Sequence, residues 1–293
     1  MSSNPTPQGS VLVVGSANLD LVATTARHPA PGETLIGGEY SEHPGGKGLN
    51  QAVAAARAGA PTRFVGAVGR DDAGRTLADI ASSSGVETSQ LLTVDAPTGR
   101  ALILVADSGE NSIVVVPGAN DHCPAGIPQT GDVVLTQLEV PLSSVEATLH
   151  DARAVGATTI LNPAPARELP PDLLECVDVI VPNQHELELL GGVNSLLGAG
   201  VGSVVVTLGA DGARIHTRHA VIDIPTLQVD SVDTTGAGDT FCGYLASGLA
   251  TGLSLEQAAR RGCVAAALST TRPGAVPSIP SAAEVDGVNV SGG

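Results

Sequence analysis

The sequence predicts an α/β protein whose central sheet is mostly parallel. Short continuous apolar runs, such as residues 10–15 and 63–69, are typical of strands buried on both faces of a parallel sheet. Helix-like segments such as residues 72–83 alternate with them. Polar residues recur directly after the predicted strands, where ligands bind in open α/β sheets: Asn18, Asp20, Glu139, Asn162, Asn183, Thr207 and Asp233. Each alone fits an ordinary turn equally well, so it is their recurrence that predicts a ligand crevice.

The size and charge of the chain narrow the classes of function. With 293 residues it can form one large α/β domain or two small ones. Aromatic residues make up 1% of the sequence, so the core must be built from Val, Leu, Ile and Ala. The formal net charge of −16 argues against nucleic acids and anionic membranes as partners, because their phosphate groups would be repelled. An anionic substrate would therefore need a local positive site or a metal.

The cysteines and the N-terminal segment lead us to expect a soluble, cytoplasmic protein. Cys123, Cys176, Cys242 and Cys263 are widely spaced and form no CxxC pair, which is typical of reduced thiols. Residues 1–10 have neither the basic flank nor the apolar core of a signal peptide. The longest apolar runs have the length of strands, too short for a membrane span.

A glycine-rich motif precedes the first predicted helix. The stretch Pro44-Gly45-Gly46-Lys47-Gly48-Leu49-Asn50 follows an irregular segment over 28–42 and leads into an Ala-rich helix over 51–58. It is similar to a phosphate loop, yet no Ser or Thr follows the lysine and the GxGxxG spacing is missing. The motif therefore indicates close backbone approach to a small polar ligand, with Lys47 and Asn50 as donors.

A predicted hairpin interrupts the alternation of strands and helices. Two apolar runs within residues 98–118 flank the turn-forming residues 107–111. The hairpin is either a small antiparallel insert that acts as a lid or a plain antiparallel edge of the main sheet.

Regular alternation then resumes to the end of the chain. The helix over 142–155 is predicted to begin with a capping box of Ser143 and Glu146, and the helix from Ser254 with a partner at Gln257. The other predicted elements are strands over 132–137, 158–162, 177–181 and 203–208, a hairpin that continues to 221–225, and helices over 184–190, 240–250 and 254–271.

The stretch Asp233-Thr234-Thr235-Gly236-Ala237-Gly238-Asp239 is the strongest candidate for chemistry. Its glycines allow a tight turn and close approach to a ligand. The helix that follows directs its free N–H groups at the turn, which makes an anion site beside the carboxylate of Asp239. Transfer of a phosphoryl group to a hydroxyl needs such a pair, because a hydroxyl is a poor nucleophile without a base. The alternative is a glycine turn with an Asp near a helix N-terminus.

These motifs together resemble those of the PfkB (ribokinase) family of carbohydrate kinases, from Val11 to about Pro280. The motif around Gly45-Gly46-Lys47-Gly48 and the stretch from Asp233 to Asp239 occur across the family, and the runs over 50–56, 137–139 and 162–170 are more specific. The resemblance implies one domain over 1–293, a three-layer α/β/α sandwich with a small β lid formed by about 17–42 and 96–118. It also implies phosphorylation of D-ribose at the 5-hydroxyl by ATP and Mg²⁺, activation by K⁺ as a monovalent cation, and a homodimer formed through the lid.

The resemblance also assigns roles to matching residues. Asp239 would be the general base, with Gly236, Ala237 and Gly238 supplying the amides of an anion hole, and Glu186 with Asn183 would organise Mg²⁺. The sugar would be bound by Asn18, Leu19, Asp20, Gly46, Lys47, Gly48, Leu49, Asn50, Glu139 and Asp239. ATP would be bound by Asn183, Thr207, Leu208, Gly209, Ala210, Asp211, Gly212, Gly238, Asp239 and Cys263. The monovalent cation would be bound, mainly through carbonyl oxygens, by Asp233, Thr235, Ser269, Arg272, Gly274 and Ser278.

The chain departs from the family pattern at two places. Between Glu188 and Ser203 it is about a dozen residues shorter than expected and rich in glycine, too short for a long crossover helix. That helix packs far from the sugar in the family, so we expect lower local stability there more than a loss of chemistry. Cys263 aligns with a His that is common near the adenine in the family. The contact that this His makes with the base is therefore in question here.

Other functions fit the sequence less well. A related kinase for 2-deoxyribose, a ketohexose or a nucleoside is the nearest alternative, although two Phe and two Tyr offer little to stack on a base. A sugar-binding protein without activity would not need the intact Asp239 and its anion hole. A dinucleotide-dependent oxidoreductase is disfavoured by the missing GxGxxG fingerprint.

Overall fold

The computed structural model describes residues 9–288, so the N-terminal segment that bears on a signal peptide falls mostly outside it. The strands of this part of the chain are β1 (Val11–Val14), β2 (Asn18–Thr25), β3 (Tyr40–Gly45), β4 (Thr62–Gly69), β5 (Val86–Glu87), β6 (Leu91–Val94), β7 (Gly99–Ala106), β8 (Asn111–Val116), β9 (Val133–Thr136), β10 (Thr158–Leu161), β11 (Val179–Ile180), β12 (Ser203–Thr207), β13 (Ala213–His216) and β14 (Val221–Ile224).

Ten strands form the main sheet. Their order is β14-β13-β12-β11-β10-β9-β1-β4-β5, with β6 also paired to β4. The pairs from β11–β12 through to β4 are parallel, and only β13 and β14 are joined antiparallel at one edge. The predicted mostly parallel sheet is confirmed, and the short connection from β12 to β14 explains its antiparallel edge.

Helices cover both faces of the main sheet. They are α1 (Lys47–Arg57), α2 (Asp72–Ser83), α3 (Leu142–Val155), α4 (Pro171–Leu174), α5 (Gln184–Leu189), α6 (Val193–Gly198), α7 (Ala237–Ala250), α8 (Leu255–Ser269) and α9 (Ala282–Asp286). Within residues 9–288, none of these helices has the length and apolar character needed to cross a bilayer.

Two apolar cores lie on opposite faces of the sheet. Val11 and Val13 of β1 point into a core shared with α1, α2, α7 and α8, whereas Leu12 and Val14 point into a core shared with α3, α4 and α6. Successive side chains of a strand face opposite sides, so a strand that is apolar throughout needs two covering layers. The α/β/α sandwich is therefore confirmed.

A second, four-stranded sheet has the order β3-β2-β7-β8. The β7–β8 pair is the predicted hairpin, and β2 and β3 add a strand from each side of the irregular segment. The hairpin is thus an insert and not an edge of the main sheet. Sequence patterns missed β2 as a strand, because its first residues, Asn18 and Asp20, were interpreted as polar residues after β1 that either bind a ligand or form a turn.

Two predicted helix starts and one predicted capping box are wrong. α1 begins at Lys47 and not Gln51, and α7 begins at Ala237 and not Thr240, because Gly46 (φ 90°) and Gly236 (φ 73°) reverse the chain directly before them. α3 has the predicted bounds, but its N-cap is Pro141 and no side chain caps it, since Ser143 already lies inside the helix. The capping box of Ser254 with Gln257 is present as predicted.

The shortened crossover between β11 and β12 contains two short helices. α5 and α6 span six residues each, and Leu196 of α6 is 1% exposed within the second core. Leu187, Leu190, Val193 and Leu197 are partly buried against the same core. The lower local stability expected here stays a prediction.

Candidate active site

The carboxyl ends of the central strands lie side by side. Val14 of β1 is level with Thr136 of β9, and Thr136 is level with Leu161 of β10. Leu161 in turn is level with Ile180 of β11. Because the strands end in one row, the polar residues that follow them meet at one edge of the sheet: Ser16, Asn18, Glu139, Asn162 and Asn183.

Asp239 lies where α7 meets α1. It is in the first turn of α7 and is 7% exposed. Its Oδ2 accepts a hydrogen bond from Asn50 Nδ2 at 2.9 Å, and its Oδ1 accepts one from Gln51 Nε2 at 2.9 Å. The helices approach closely because position 243 is glycine; a Cβ there would lie 2.6 Å from the Gln51 carbonyl oxygen. The carboxylate is therefore held on both oxygens by the first turn of α1.

The predicted sugar-binding residues surround this carboxylate. Glu139 Oε2 accepts from Ser16 Oγ at 2.5 Å and from the backbone N–H of Lys47 at 3.1 Å. Asn18 Oδ1 accepts from Asn120 Nδ2 at 2.7 Å, which leaves the Asn18 amide N–H groups for a ligand. Within residues 9–288, Asn50 Oδ1 is buried with no partner, which suits a hydroxyl donor from a sugar.

Leu49 and Leu19 contribute differently. The Leu49 side chain is 1% exposed and packs in the first core, so its own contribution to a ligand would be through the backbone. Leu19 lies within β2, level with Pro44 of β3 and Arg100 of β7. Both predictions of sugar contact stay predictions.

Asp20 has the most perturbed carboxyl in this group. Burial raises its pKa to about 7, and the negative charges of Glu139 and Asp239 add to the increase. The unfolded carboxyl titrates near 3.8, so between about pH 4 and 7 the folded chain holds a proton that the unfolded chain has released. The stability that this group contributes is full below pH 4 and is lost as pH rises through 7.

The family resemblance implies that Asp20 binds ribose, and this predicts a ribose affinity that depends on pH. Sugar hydroxyls donate to a carboxylate, so binding favours the ionised form and releases a proton below pH 7. The ribose Kd is expected to weaken by roughly tenfold for each pH unit below 7. Calorimetric titration between pH 5 and 8 measures this, with Asp20→Asn as the control that should bind weakly at every pH. A flat wild-type profile would contradict the assignment of Asp20 to the sugar.

A small cavity of about 210 Å³ lies on the other side of Asp239. Its lining comes from α1, α7 and the ends of β10 to β12: Lys47, Asn162, Val181, Asn183, Glu186, Thr207, Gly236, Gly238, Asp239 and Cys242. Lys47 is the only lysine in the sequence and the one cation among these residues. The charge of Asp239, followed by Glu139 and Glu186, raises the pKa of Lys47 against the opposing effect of burial. A charged ammonium therefore faces the cavity, beside the free N–H groups of α7.

A larger cavity of about 630 Å³ adjoins the small one, and the two share Asn183, Thr207 and Gly238. The large cavity is lined by most of the predicted nucleotide residues: Asn183, Thr207, Leu208, Gly209, Ala210, Gly212, Gly238 and Cys263. Asp211 does not line this cavity; with Arg214 and Asp223 it lines a neighbouring groove that shares Leu208 with it. A nucleotide in the large cavity would direct its phosphates toward Lys47 and Asp239.

The wall of the large cavity includes residues that sequence patterns missed. α7 and α8 contribute Phe241, Ala266, Ala267 and Thr270 beside Cys263, and the segment before α7 contributes Leu227 and Val229. The spacing of positions 263, 266, 267 and 270 marks one face of a helix, a signal that was available in the sequence. Burial raises the pKa of the Cys263 thiol to about 12, so it meets the cavity as a neutral, weakly polar group.

Asn183 and Glu186 form a capping box at the start of α5. Glu186 Oε2 accepts from the Asn183 backbone N–H at 2.9 Å, and Asn183 Oδ1 accepts from the Glu186 backbone N–H at 2.8 Å. The box fixes both side chains at the rim of the small cavity, where Glu186 is the one carboxylate besides Asp239. In the described part of the chain, no group of three or more His, Cys, Asp or Glu could bind a metal.

Asp233 joins the two loops of the predicted cation site. Its Oδ1 accepts from the Thr235 backbone N–H at 2.9 Å and its Oδ2 from the Gly274 N–H at 2.7 Å. Burial raises the pKa of Asp233, but these hydrogen bonds outweigh burial and hold it below the usual value. Ser269 and Ser278 donate their hydroxyls to nearby carbonyls, and Arg272 pairs with Glu284. Those three residues could therefore offer a cation their carbonyl oxygens.

Asn120 ties the small sheet to the sugar-binding residues. Its Oδ1 accepts from the Ala17 N–H at 2.9 Å and its Nδ2 donates to Ala17 O at 3.3 Å, besides the bond to Asn18. It is 1% exposed, and an added Cβ at Gly99 would collide with it and with Asn18. The chain segments that enter the small sheet are thus joined through one amide.

Asn120→Ala is expected to weaken ribose binding by about tenfold, because Asn18 loses the partner that orients its amide. The ribose Kd, measured by calorimetry, should rise while ATP binding without sugar stays unchanged. Asn111→Ala, at the exposed start of β8, is the matched control. Equal ribose affinity in Asn120→Ala and wild type would mean that Asn120 serves folding only.

Comparison with known proteins places this geometry in a family. The sequence profile of the pfkB family carbohydrate kinases matches residues 8–282. A ribokinase of Haemophilus influenzae is 41% identical over 296 residues, which cover 94% of this chain and 96% of that relative. A deoxyribokinase of Salmonella typhi is 34% identical, with 92% and 95% covered. The structure of Arabidopsis thaliana ribokinase complexed with ribose and ATP has a TM-score of 0.86 and 31% identity, and covers 95% of this chain and 98% of its own. The chain therefore belongs to the pfkB family of carbohydrate kinases.

Proposed function

We propose that this protein transfers the γ-phosphoryl group of ATP to the 5-hydroxyl of D-ribose, giving ribose 5-phosphate and ADP. One observation carries the proposal: Asp239 adjoins both the predicted sugar-binding side chains and the small cavity next to the large one. On one side are the polar side chains of Asn18, Asp20 and Glu139, and on the other a cavity that opens into the larger one. The ribokinase relatives support the choice of sugar and of nucleotide.

Asp239 would act as the general base of the transfer. Its carboxylate takes the proton of the 5-hydroxyl as that oxygen forms a bond to the γ-phosphorus and the bond to the ADP oxygen breaks. The N–H groups at the start of α7, from Gly236 to Gly238, and the ammonium of Lys47 stabilise the charge that spreads over the phosphoryl oxygens. Alignment of the two substrates across Asp239 supplies the remaining acceleration.

Glu186 and Asn183 fit a Mg²⁺ ion that is bound chiefly by phosphates and water. Mg²⁺ sites of this kind use one or two carboxylates rather than a cage of protein ligands, and Glu186 at the rim of the small cavity matches that. When bound, the ion would neutralise phosphate charge. ADP release without Mg²⁺, at a rate equal to that with it, would contradict this part of the proposal.

The loops joined by Asp233 would bind a monovalent cation such as K⁺. A carboxylate kept ionised by hydrogen bonds, next to the carbonyls of residues 269–278, offers the oxygen ligands that such ions prefer. The cation would support the loop that carries Gly236. We expect K⁺ to raise the rate of ADP release strongly in the wild type and only weakly in Asp233→Asn. Equal activation of both proteins would contradict the assignment of Asp233 to the cation site.

The small sheet would act as a lid over the sugar and as the contact between two copies of the chain. β8 lies at its edge, with Ile113 53% and Val114 60% exposed, and Leu102 beside Val114 is 47% exposed. An apolar edge strand of this kind tends to be covered by a partner. We expect a dimer by analytical ultracentrifugation and a monomer for Val114→Lys, with Ser82→Lys on the exposed surface of α2 as the control; a monomeric wild type would contradict the dimer.

We place the enzyme in the cytoplasm. Its four cysteines are free and buried, which suits a reducing compartment. Fractionation of cells should find the ribose-dependent kinase activity in the cytosolic fraction, and activity outside it would contradict this.

A panel of acceptors tests the function itself. Purified protein with ATP and Mg²⁺ is offered pentoses, hexoses and nucleosides with and without K⁺, and ADP release is measured. D-ribose should give the highest kcat/KM, with the product identified as the 5-phosphate by NMR. No ADP release with ribose at any K⁺ concentration would contradict the proposal.

Phosphorylation of 2-deoxyribose is the second candidate, supported by the deoxyribokinase relative. A carboxylate such as Asp20 can accept from two neighbouring hydroxyls, and 2-deoxyribose lacks one hydroxyl of the vicinal pair. We expect its kcat/KM to be lower than that of ribose by roughly tenfold or more. A value equal to or above that of ribose would favour this candidate.

A further inference from the structure

A chain of buried side-chain amides lies next to Asp239 and is not explained by substrate binding. Gln51 and Gln137 are both 0% exposed. Gln51 Nε2 donates to Asp239 Oδ1 at 2.9 Å and to Asn162 Oδ1 at 3.1 Å. Gln137 Nε2 donates to Gln51 Oε1 at 2.5 Å, and Asn162 Nδ2 donates to Val181 O at 2.9 Å. The network thus connects the ends of β9, β10 and β11 to the proposed base.

The network determines which way the Gln51 amide points. Its oxygen accepts from Gln137, so both of its N–H bonds must be directed at Asp239 and Asn162. A flipped amide would set an oxygen against the Asp239 carboxylate and an N–H group against that of Gln137. Because both N–H groups of Gln51 are used and the side chain is fully buried, it has no donor left for sugar or phosphate.

We propose that Gln51 is a positioning residue for the phosphoryl transfer, which holds the Asp239 carboxylate in the plane that accepts the substrate proton. This inference rests on the proposed function. Asn50 alone would leave the carboxylate free to turn about a single contact, whereas donors on both oxygens fix its plane. Amide donors also favour the charged form of a carboxylate, which is the form that acts as a base.

The charged groups around Asp239 explain why an N–H donor from Gln51 is needed beside its carboxylate. The charge of Asp239 acts on Asp20, Lys47 and Cys242, and Lys47 is also acted on by Glu139 and Glu186. Two acidic groups thus compete with Asp239 for the one ammonium in the small cavity. A neutral donor in contact with Oδ1 stabilises the Asp239 charge without drawing on Lys47.

Gln51→Glu is the sharpest test, because it keeps the size of the side chain and replaces a donor with a second acid. Two carboxyl groups in contact hold a proton more tightly than one, so the acid limb of the kcat–pH profile should move up by about one pH unit or more. At pH 7, kcat should fall by roughly tenfold or more and recover toward the wild-type value above pH 8. The KM for ribose should stay within about threefold, since no contact to the sugar is removed.

Gln51→Met removes the donor without adding charge, and Gln137→Met removes the group that orients it. We expect kcat to fall by roughly 10- to 100-fold in the first and by less in the second, with the ribose KM again nearly unchanged. Ser247→Ala is the matched control: it alters a fully buried side chain of α7 that makes no hydrogen bond within residues 9–288. Its kcat should equal that of the wild type.

Thermal melts separate positioning from folding. A folded Gln51→Glu enzyme whose kcat–pH profile keeps the wild-type shape would overturn the inference. If that variant does not fold, a wild-type kcat in Gln51→Met or a raised ribose KM with unchanged kcat would overturn it equally. A wild-type enzyme that releases no ADP with any sugar counts against the proposed function instead.

Discussion

Replacing Asp239 with Asn is expected to lower kcat by about 10²- to 10⁴-fold, while D-ribose still protects the protein from heat. The variant keeps the shape of the side chain but cannot take the proton of the 5-hydroxyl. The sugar retains its other partners, among them Asn18, Glu139 and the free oxygen of Asn50. Steady-state kinetics and thermal melts with and without ribose measure the two effects separately.

The same substitution should destabilise the protein without ligand. Both oxygens of Asp239 accept amide N–H groups, so an Asn there must turn its own N–H toward either Asn50 or Gln51. Losing one hydrogen bond and leaving two N–H groups facing each other lowers the free energy of unfolding by roughly 1–3 kcal/mol. Asp223→Asn, at an exposed carboxylate of β14, is the control and should leave kcat and the melting temperature unchanged. Loss of heat protection together with turnover would mean that Asp239 binds the sugar or supports the fold.

Lys47→Met should have the second largest effect, a fall in kcat of about 10²- to 10³-fold. Lys47 is the one cation lining the small cavity, and Met keeps its length and apolar stem without the charge. The KM for ATP should rise as well, because the phosphates lose an ionic partner. Heat protection by ribose should remain, since the backbone N–H of Lys47 and not its ammonium contacts Glu139.

The single lysine of this chain allows its charge to be observed directly. Reductive methylation with ¹³C-formaldehyde labels one side-chain amine, so its NMR titration reports on Lys47 alone. The pKa should lie above the ordinary value, because Asp239 and then Glu139 favour the charged form. In Asp239→Asn it should fall. A Lys47 pKa that is unchanged in Asp239→Asn, or a wild-type kcat in Lys47→Met, would contradict the assignment of the Lys47 ammonium to the phosphate site.

Local patterns were enough to predict much of this architecture. Continuous apolar runs predicted the buried parallel strands, since a strand covered on both faces has no position for a polar residue. The polar residues after these strands predicted the crevice, because parallel strands end at the same edge. Both wrong helix starts have a glycine as their cause: Gly46 and Gly236 start α1 and α7 earlier than helix periodicity indicates.

The sequence alone therefore determined the layered fold, the edge of the sheet that bears the site and the chemical types of its residues, because strand burial and helix capping depend on near neighbours. Only the tertiary structure decided which amide contacts which oxygen. Asp239 meets Asn50 and Gln51 across more than 180 positions of the chain, and Gln137 meets Gln51 across 86. Such contacts depend on how closely α1 and α7 pack at Gly243. The distance between two helices cannot be predicted from a local sequence pattern.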